Sequence, residues 1–150
     1  MGGLGAARSM RRLLLDTNVV SELTRAAPDP NVSVFISNQS DLWLASVVVY
    51  EMEYGMLLLP AGRRRDSVAL ANSRILTAFR DRVLPLDRIG AEWAGNFRAQ
   101  AQRRGRPLKV NDALIAGTAM AHNLALVTRN VRDFAGLDIE IINPWEYETS

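Results

Sequence analysis

Short runs of apolar residues alternate along the chain with longer segments in which apolar residues recur every three or four positions. The short runs are typical of buried parallel strands, and the longer segments are typical of helices with one apolar face. This alternation predicts an α/β fold, with a sheet of four to five mainly parallel strands flanked by helices. The predicted strands are residues 12–15, 41–45, 83–86, 124–128 and 139–142. The first predicted helix begins directly after residue 16. Five further helices are predicted at residues 28–39, 47–59, 62–83, 88–105 and 111–123.

Polar residues at the predicted helix starts indicate which side chains cap the helices. Thr17 or Asn18 is placed to cap the first helix, Ser46 the third and Asp87 the fifth, because short polar side chains accept hydrogen bonds from free N–H groups there.

Length and composition indicate one domain. A chain of 150 residues with 48% hydrophobic content can bury a sizeable core, and no repeat or composition shift marks a second domain. We expect residues 1–9 to be a disordered extension and residues 10–150 to form the domain. The absence of cysteine and of a long apolar stretch favours a protein of a reducing compartment, the cytoplasm, with no membrane partner.

Three carboxylates stand in apolar surroundings. Asp16 follows three leucines at the end of the first predicted strand, Glu51 lies within the third predicted helix, and Asp112 lies near the start of the last. Strands of a parallel sheet end at one edge, where ligands bind, so these side chains are expected to converge. Clustered carboxylates repel one another, and an all-oxygen set suits Mg²⁺ or Mn²⁺.

Each acid also has a purely structural interpretation. Asp16 could cap the next helix, and the helix dipole favours an acid at the position of Asp112. Glu51 or Glu53 could be a solvated residue of an amphipathic helix. These two glutamates point to nearly opposite sides of the helix, and periodicity does not choose between them.

Arginines cluster in three places although the net charge is only +2. Such clusters suit a phosphate-rich partner, but each cluster alone is more typical of a solvated face. The clusters are Arg11 and Arg12; Arg63 to Arg65; and Arg103, Arg104, Arg106 with Lys109.

Four segments in order, LLLDTNVVSEL, SVVVYEMEYG, NDALIAGTAMAHNLALVTRNVRDF and the closing NPW, resemble a PIN-domain nuclease of the VapC/FitB toxin type. The resemblance covers most of residues 11 to 145. It implies a three-layer α/β fold, metal-dependent cleavage of RNA by a cytoplasmic enzyme, a homodimer, and a cognate antitoxin with which the chain forms a hetero-oligomer.

The resemblance also implies roles for individual residues. Asp16, Glu51 and Asp112 match the acidic metal ligands of the family, and Glu51 is selected because the acid of that motif stands four residues before a glycine. Asn18 and Thr128 match supporting polar residues.

The chain departs from the family pattern at one place. Asn130 stands where relatives often have a fourth acid, and the next acid is Asp133. Either residue could complete the site, and one or two metal ions remain possible.

Connectivity places a basic loop beside the expected cleft, because the loop leads into the helix of Asp112. Contacts to the RNA backbone are expected from Arg103, Arg104, Arg106 and Lys109.

Two other functions remain open at this point. A haloacid-dehalogenase-like phosphoryl-transfer enzyme also places an aspartate after its first strand, but requires a second one where this chain has Asn18. The second alternative is a non-catalytic interaction module, in which the acids are helix caps.

Overall fold

Five parallel strands form one sheet in the computed structural model, which describes the backbone of residues 9–148 and the side chains of residues 11–148. The spatial order of the strands is β3-β2-β1-β4-β5. The strands are β1 (Ser9–Leu15), β2 (Gln39–Ala45), β3 (Val83–Leu84), β4 (Ala125–Val127) and β5 (Ile141–Ile142). The helices are α1 (Thr17–Leu23), α2 (Pro30–Ser37), α3 (Ser46–Leu57), α4 (Arg63–Ala78), α5 (Arg88–Arg103) and α6 (Val110–Ala121). Two short 3₁₀ helices, Val131–Phe134 and Pro144–Glu146, follow β4 and β5.

The sheet is covered on both faces. Leu13, Leu14 and Leu15 are consecutive residues of β1, so their side chains point alternately to opposite faces, yet all three are fully buried. A central parallel strand needs such cover because neither of its faces is polar. The predicted α/β architecture of a parallel sheet flanked by helices is therefore confirmed.

Most predicted elements are present, with shifted ends. Strand β1 begins at Ser9, three residues before the predicted start, and pairs with β2 on one side and β4 on the other. The rest of the predicted N-terminal extension, residues 1–8, lies outside the described residues. Strands β3 and β5 contain two residues each, and the ends of such short strands are difficult to predict from local sequence.

Two predicted helix caps are wrong. Asp16 itself caps α1, since its side chain accepts a hydrogen bond from the Thr17 N–H. Ser46 is the first residue of α3 and accepts from the N–H of Leu86, so its hydroxyl joins α3 to the segment after β3. The third predicted cap is confirmed, because Asp87 accepts from the N–H of Gly90.

Helix α4 is the least buried of these elements. Its apolar stripe packs against the core only partly, and none of its residues is fully buried. No helix among residues 9–148 is long and apolar enough to cross a bilayer.

Helices α5 and α6 approach each other backbone to backbone. A Cβ atom on Gly117 of α6 would collide with the carbonyl oxygen of Gly90 and lie 2.8 Å from the backbone nitrogen of Ala94. Both neighbours are backbone atoms, which cannot rotate away. The absence of a side chain at Gly117 therefore sets the position of α6, the helix that carries Asp112.

We predict that Gly117→Ala lowers the free energy of unfolding by about 3 kcal/mol, because the two helices must separate to admit a methyl group. The matched control is Gly95→Ala in the exposed middle of α5, where a Cβ meets nothing within 4 Å. Gly95→Ala should raise the free energy of unfolding by about 0.5 to 1 kcal/mol, since glycine is a poor helix former. Urea denaturation of both variants measures the difference, and equal stabilities would contradict this description of the packing.

Candidate active site

Asp16 lies between β1 and α1, and both of its carboxylate oxygens accept hydrogen bonds. The backbone N–H of Thr17 donates to Oδ1 at 2.8 Å, and the hydroxyl of Thr128 donates to Oδ2 at 2.7 Å. The amide of Asn18 donates to Oδ2 at 3.3 Å. The backbone N–H of Asp16 donates to the carbonyl of Val127 at 2.9 Å, which ties the residue to β4. The Asp16 side chain is therefore fixed at the sheet edge, with only 3% of the residue exposed.

The hydroxyl proton of Thr128 has one available acceptor. Its other neighbours, Nδ2 of Asn18 at 3.1 Å and the backbone N–H of Asn130 at 3.1 Å, are both donors. A hydroxyl has one proton and two lone pairs, so Thr128 accepts from both donors and gives its proton to Asp16. Asn18 is oriented in turn by the Arg129 N–H, which donates to its Oδ1 at 3.2 Å.

These contacts act in opposite directions on the pKa of Asp16. Burial raises the pKa most strongly, because it removes water from the charged form. The hydrogen bonds from Thr128 and from the Thr17 N–H lower it, and the charges of Glu51 and Asp133 raise it again. The net pKa lies above the usual value for an aspartate.

Glu51 faces Asp16 from α3 and is held by two residues that sequence reasoning did not assign to the site. The hydroxyl of Thr17 donates to Oε1 at 2.5 Å, and the amide of Asn111 donates to Oε2 at 3.4 Å. Both stand next to a predicted acid in the chain, which is the only sequence signal that could have indicated them. Glu53 is exposed and lines a groove against α4, so the structure brings Glu51, and not Glu53, to this site.

The surroundings of Asp112, in the first turn of α6, disfavour the charged form of its carboxyl group. Burial raises its pKa, and the negative charges of Asp16, Asp133 and Glu51 add to the effect, while Lys109 acts against it. The resulting pKa is about 6. Four carboxylates therefore share one electrostatic environment at the carboxyl edge of the sheet.

An open cleft of about 350 Å³ lies over these acids. Asn130 and Asp133, the two candidates for the fourth position, both line it, and so do Glu51 and Asp112. Asp133 projects from the 3₁₀ helix after β4, and its charge acts on both Asp16 and Asp112. Asp16 is buried and does not line the cleft.

The predicted phosphate-contacting residues occupy different places. Lys109 lines the cleft, whereas Arg103, Arg104 and Arg106 do not. The guanidinium of Arg104 donates to the carbonyl oxygen of Gly136 and so joins α5 to the loop before β5. Arg103 and Arg106 are exposed.

The donor atoms suit a hard divalent cation in chemistry, but they do not form a closed cage. They are carboxylate oxygens, which Mg²⁺ and Mn²⁺ prefer, and their mutual repulsion favours a cation. No three acidic or histidine side chains within residues 11–148 are arranged so that they hold a metal ion together. The oxygens of Asp16 and Glu51 also accept hydrogen bonds from neighbouring hydroxyl groups.

The fold and the acidic edge define the class of the protein. The PIN domain family model matches residues 13–140, and the chain belongs to this family.

The chain is also similar to named members of the VapC/FitB type. It is 37% identical to the VapC ribonuclease Y4jK of Sinorhizobium fredii over 89% of this chain and 98% of that protein. It is 32% identical to the toxin FitB of Neisseria gonorrhoeae, over 89% of this chain and 98% of that one. The crystal structure of FitAcB from Neisseria gonorrhoeae superimposes with a TM-score of 0.81 at 32% identity, covering 89% of this chain and 99% of that one. The resemblance read from the sequence is confirmed.

We predict that Asp112→Asn stabilises the metal-free protein above pH 6 and has no effect below pH 4. Because the folded-state pKa of about 6 exceeds the reference value of 3.8, the folded chain binds its proton more tightly than the unfolded chain. Wild-type stability from this group therefore falls as pH rises through this interval. The gain on removing the charge should be about 1 to 2 kcal/mol after allowance for solvent screening.

Urea denaturation in chelator at pH 4 and pH 7.5 tests this dependence. Asp138→Asn, in an exposed loop, is the matched control and should change stability at neither pH. A destabilised Asp112→Asn at pH 7.5 would show that the carboxylate is not under repulsion.

Proposed function

We propose that the protein is a metal-dependent endoribonuclease toxin that hydrolyses phosphodiester bonds in RNA and is neutralised by a cognate antitoxin. The observation that carries the proposal is the convergence of Asp16, Glu51, Asp112 and Asp133 in one electrostatic environment beside an open cleft. Such a concentration of negative charge is unfavourable for the fold alone, which supports a functional reason for it. Membership of the PIN domain family sets the haloacid-dehalogenase alternative aside.

Mg²⁺ or Mn²⁺ is the cofactor that this donor set would hold. Mg²⁺ usually keeps several waters and binds proteins through one or two carboxylates, so a site without a closed cage is compatible with it. Asp112 and Asp16 are the proposed direct ligands, and Glu51 is a ligand or a positioner of the attacking water. When bound, such an ion lowers the pKa of a coordinated water and offsets the charge that develops on the phosphate.

The residues around the acids determine which oxygens face the substrate. Thr128 and Asn18 keep Asp16 in one orientation, and the Thr128 hydrogen bond favours its charged form. Thr17 and Asn111 hold the two oxygens of Glu51. Asp112 has its pKa raised to about 6 in the metal-free protein by burial and by the neighbouring negative charges, and a bound cation would favour its charged form.

Two residues share the place at which relatives often have a fourth acid. Asp133 supplies a charge that already acts on Asp16 and Asp112, and Asn130 supplies an amide beside it. We assign Asp133 the electrostatic part of the fourth acid and Asn130 the orientation of a water or a phosphate oxygen.

RNA backbone contacts are proposed for the basic loop before α6. Lys109 lines the cleft and reaches the phosphate beside the reacting one, while Arg103, Arg104 and Arg106 extend the positive surface. These contacts carry no base preference.

The protein partners follow from the kinship to FitB, which is called a toxin. A cell that makes such an enzyme needs an inhibitor, so we propose a cognate antitoxin that occupies the acidic cleft. We also propose that the chain forms a homodimer, which assembles with the antitoxin into a hetero-oligomer.

We predict that Asp16→Asn abolishes cleavage of purified total RNA in Mg²⁺ or Mn²⁺, since the substitution removes a charge from the centre of the site. Chelator should abolish wild-type cleavage as well. Asp138→Asn is the control and should cleave like the wild type. Metal-independent cleavage, or wild-type turnover by Asp16→Asn, would contradict the proposed mechanism, and a complete lack of cleavage by the wild type would favour the interaction module.

Two further variants in the same assay separate the candidates for the fourth position. Asp133→Asn should reduce turnover about tenfold or more if this carboxylate contributes charge to the site. An unchanged rate for Asp133→Asn together with a large loss for Asn130→Ala would assign the position to Asn130 alone.

A further inference from the structure

A second cleft, of about 440 Å³, lies at the same edge of the sheet as the acidic site. Arg129 and Trp145 form one part of its wall, and Glu22, Arg25 and Asp29 form another. Among the described residues, none lines both this cleft and the acidic one.

The order of the strands puts the two clefts side by side. Glu51 follows β2, Asp16 follows β1, Arg129 follows β4 and Trp145 follows β5, and these strands are consecutive neighbours in the sheet. Neighbouring strands are about 4.8 Å apart, so the end of β5 lies on the order of 10 Å from the end of β1. A polynucleotide that crosses the strand ends from Asp16 towards β5 would pass over Arg129 and Trp145.

Arg129 is a cation available to a ligand. Its chain neighbours Thr128 and Asn130 belong to the acidic site, and its own N–H is fixed by Asn18. Within residues 11–148, no carboxylate lies at ion-pair distance from its guanidinium. Arg25, in contrast, pairs with the buried Glu22 at 3.2 Å.

Trp145 contributes an aromatic ring to the same cleft. Its backbone N–H donates to the side chain of Asn143 at 3.0 Å, and its backbone carbonyl accepts from the amide of Asn31 at 2.9 Å, so the backbone at this residue is held in place. The Arg129 guanidinium lies over the indole ring, 4.9 Å from its centre. A planar cation over an aromatic ring is a combination on which nucleobases stack.

We propose that this second cleft, defined by Arg129 and Trp145, is a subsite for a nucleotide of single-stranded RNA adjacent to the bond that is cleaved. The edge of the Arg129 guanidinium contacts the phosphate of that nucleotide, and the base stacks on the face of the guanidinium opposite the Trp145 ring, which supports it. This inference rests on the proposed ribonuclease function and adds to it.

The charge of the acidic cleft favours such a subsite. The three carboxylates that line the cleft repel an approaching phosphate backbone, and within residues 11–148 Lys109 is the only basic residue of its lining. A cation one nucleotide away retains the strand without neutralising the acids that would hold the metal. An acidic segment of a protein would gain the ion pair with Arg129 but no stacking on Trp145, so the aromatic ring favours RNA.

Fluorescence anisotropy with a labelled ten-nucleotide RNA of random sequence tests the subsite. The binding background is Asp112→Asn, which we expect not to cleave. Adding Arg129→Gln should weaken binding about tenfold and reduce the slope of log K against log salt by about one. Adding Trp145→Leu should weaken binding about tenfold, and Trp145→Phe should restore most of the loss because it keeps an aromatic face.

Arg132→Gln is the matched control for charge, because Arg132 is exposed near the site but lines neither cleft. It should bind like the background, and thermal melting verifies that each variant is folded. If Arg129→Gln binds RNA no more weakly than Arg132→Gln, and Trp145→Leu no more weakly than Trp145→Phe, the subsite does not exist. Loss of binding to a purified antitoxin with unchanged RNA affinity would instead assign the cleft to a protein.

The failure of this inference is distinguishable from the failure of the proposed function. A wild type that cleaves RNA while Arg129→Gln and Trp145→Leu bind and cleave equally well overturns only the subsite. A wild type that cleaves no RNA overturns the ribonuclease proposal, and the binding measurement still decides whether the cleft takes a nucleotide.

Discussion

The hydrogen bond from Thr128 to Asp16 is the interaction on which the site depends. It joins the ends of the two central strands, β1 and β4, and its direction is fixed because the other neighbours of the hydroxyl are donors. A buried carboxylate without such partners would be protonated or destabilising. With them, Asp16 keeps one orientation, and the loops that carry Asn130 and Asp133 start from the same point.

Electrostatic repulsion connects this geometry to function. Burial, together with the charges of Asp16, Asp133 and Glu51, raises the pKa of Asp112 to about 6. Close packing of α6 on α5 at Gly117 sets the position of the helix that carries Asp112. The protein therefore keeps acids together at a cost in stability, and a bound cation would offset that cost.

The sequence was sufficient to predict the fold and the convergence of the acids. Parallel strands end at one edge, so Asp16 and the acids of α3 and α6 had to lie near one another, and the structure places them there. Periodicity could not choose between Glu51 and Glu53, whereas the resemblance could.

Thr17 and Asn111 were missed because their roles depend on side-chain directions across two helices. Ser46 was misassigned as a cap because its hydroxyl serves a residue forty positions away. Metal ligation by Asp16, Glu51 and Asp112 stays a prediction, and the structure adds that the oxygens of Asp16 and Glu51 also accept hydrogen bonds.

Direct measurement of metal binding tests the central claim, which is that these acids are held together for a hard divalent ion. Free Mn²⁺ can be followed by electron paramagnetic resonance as protein is added at pH 7.5. We expect saturable, stoichiometric binding by the wild type, competition by Mg²⁺, and greatly weakened binding by Asp112→Asn. Equal binding by the wild type and Asp112→Asn, or no saturable binding at Mn²⁺ concentrations that support RNA cleavage, would contradict this claim.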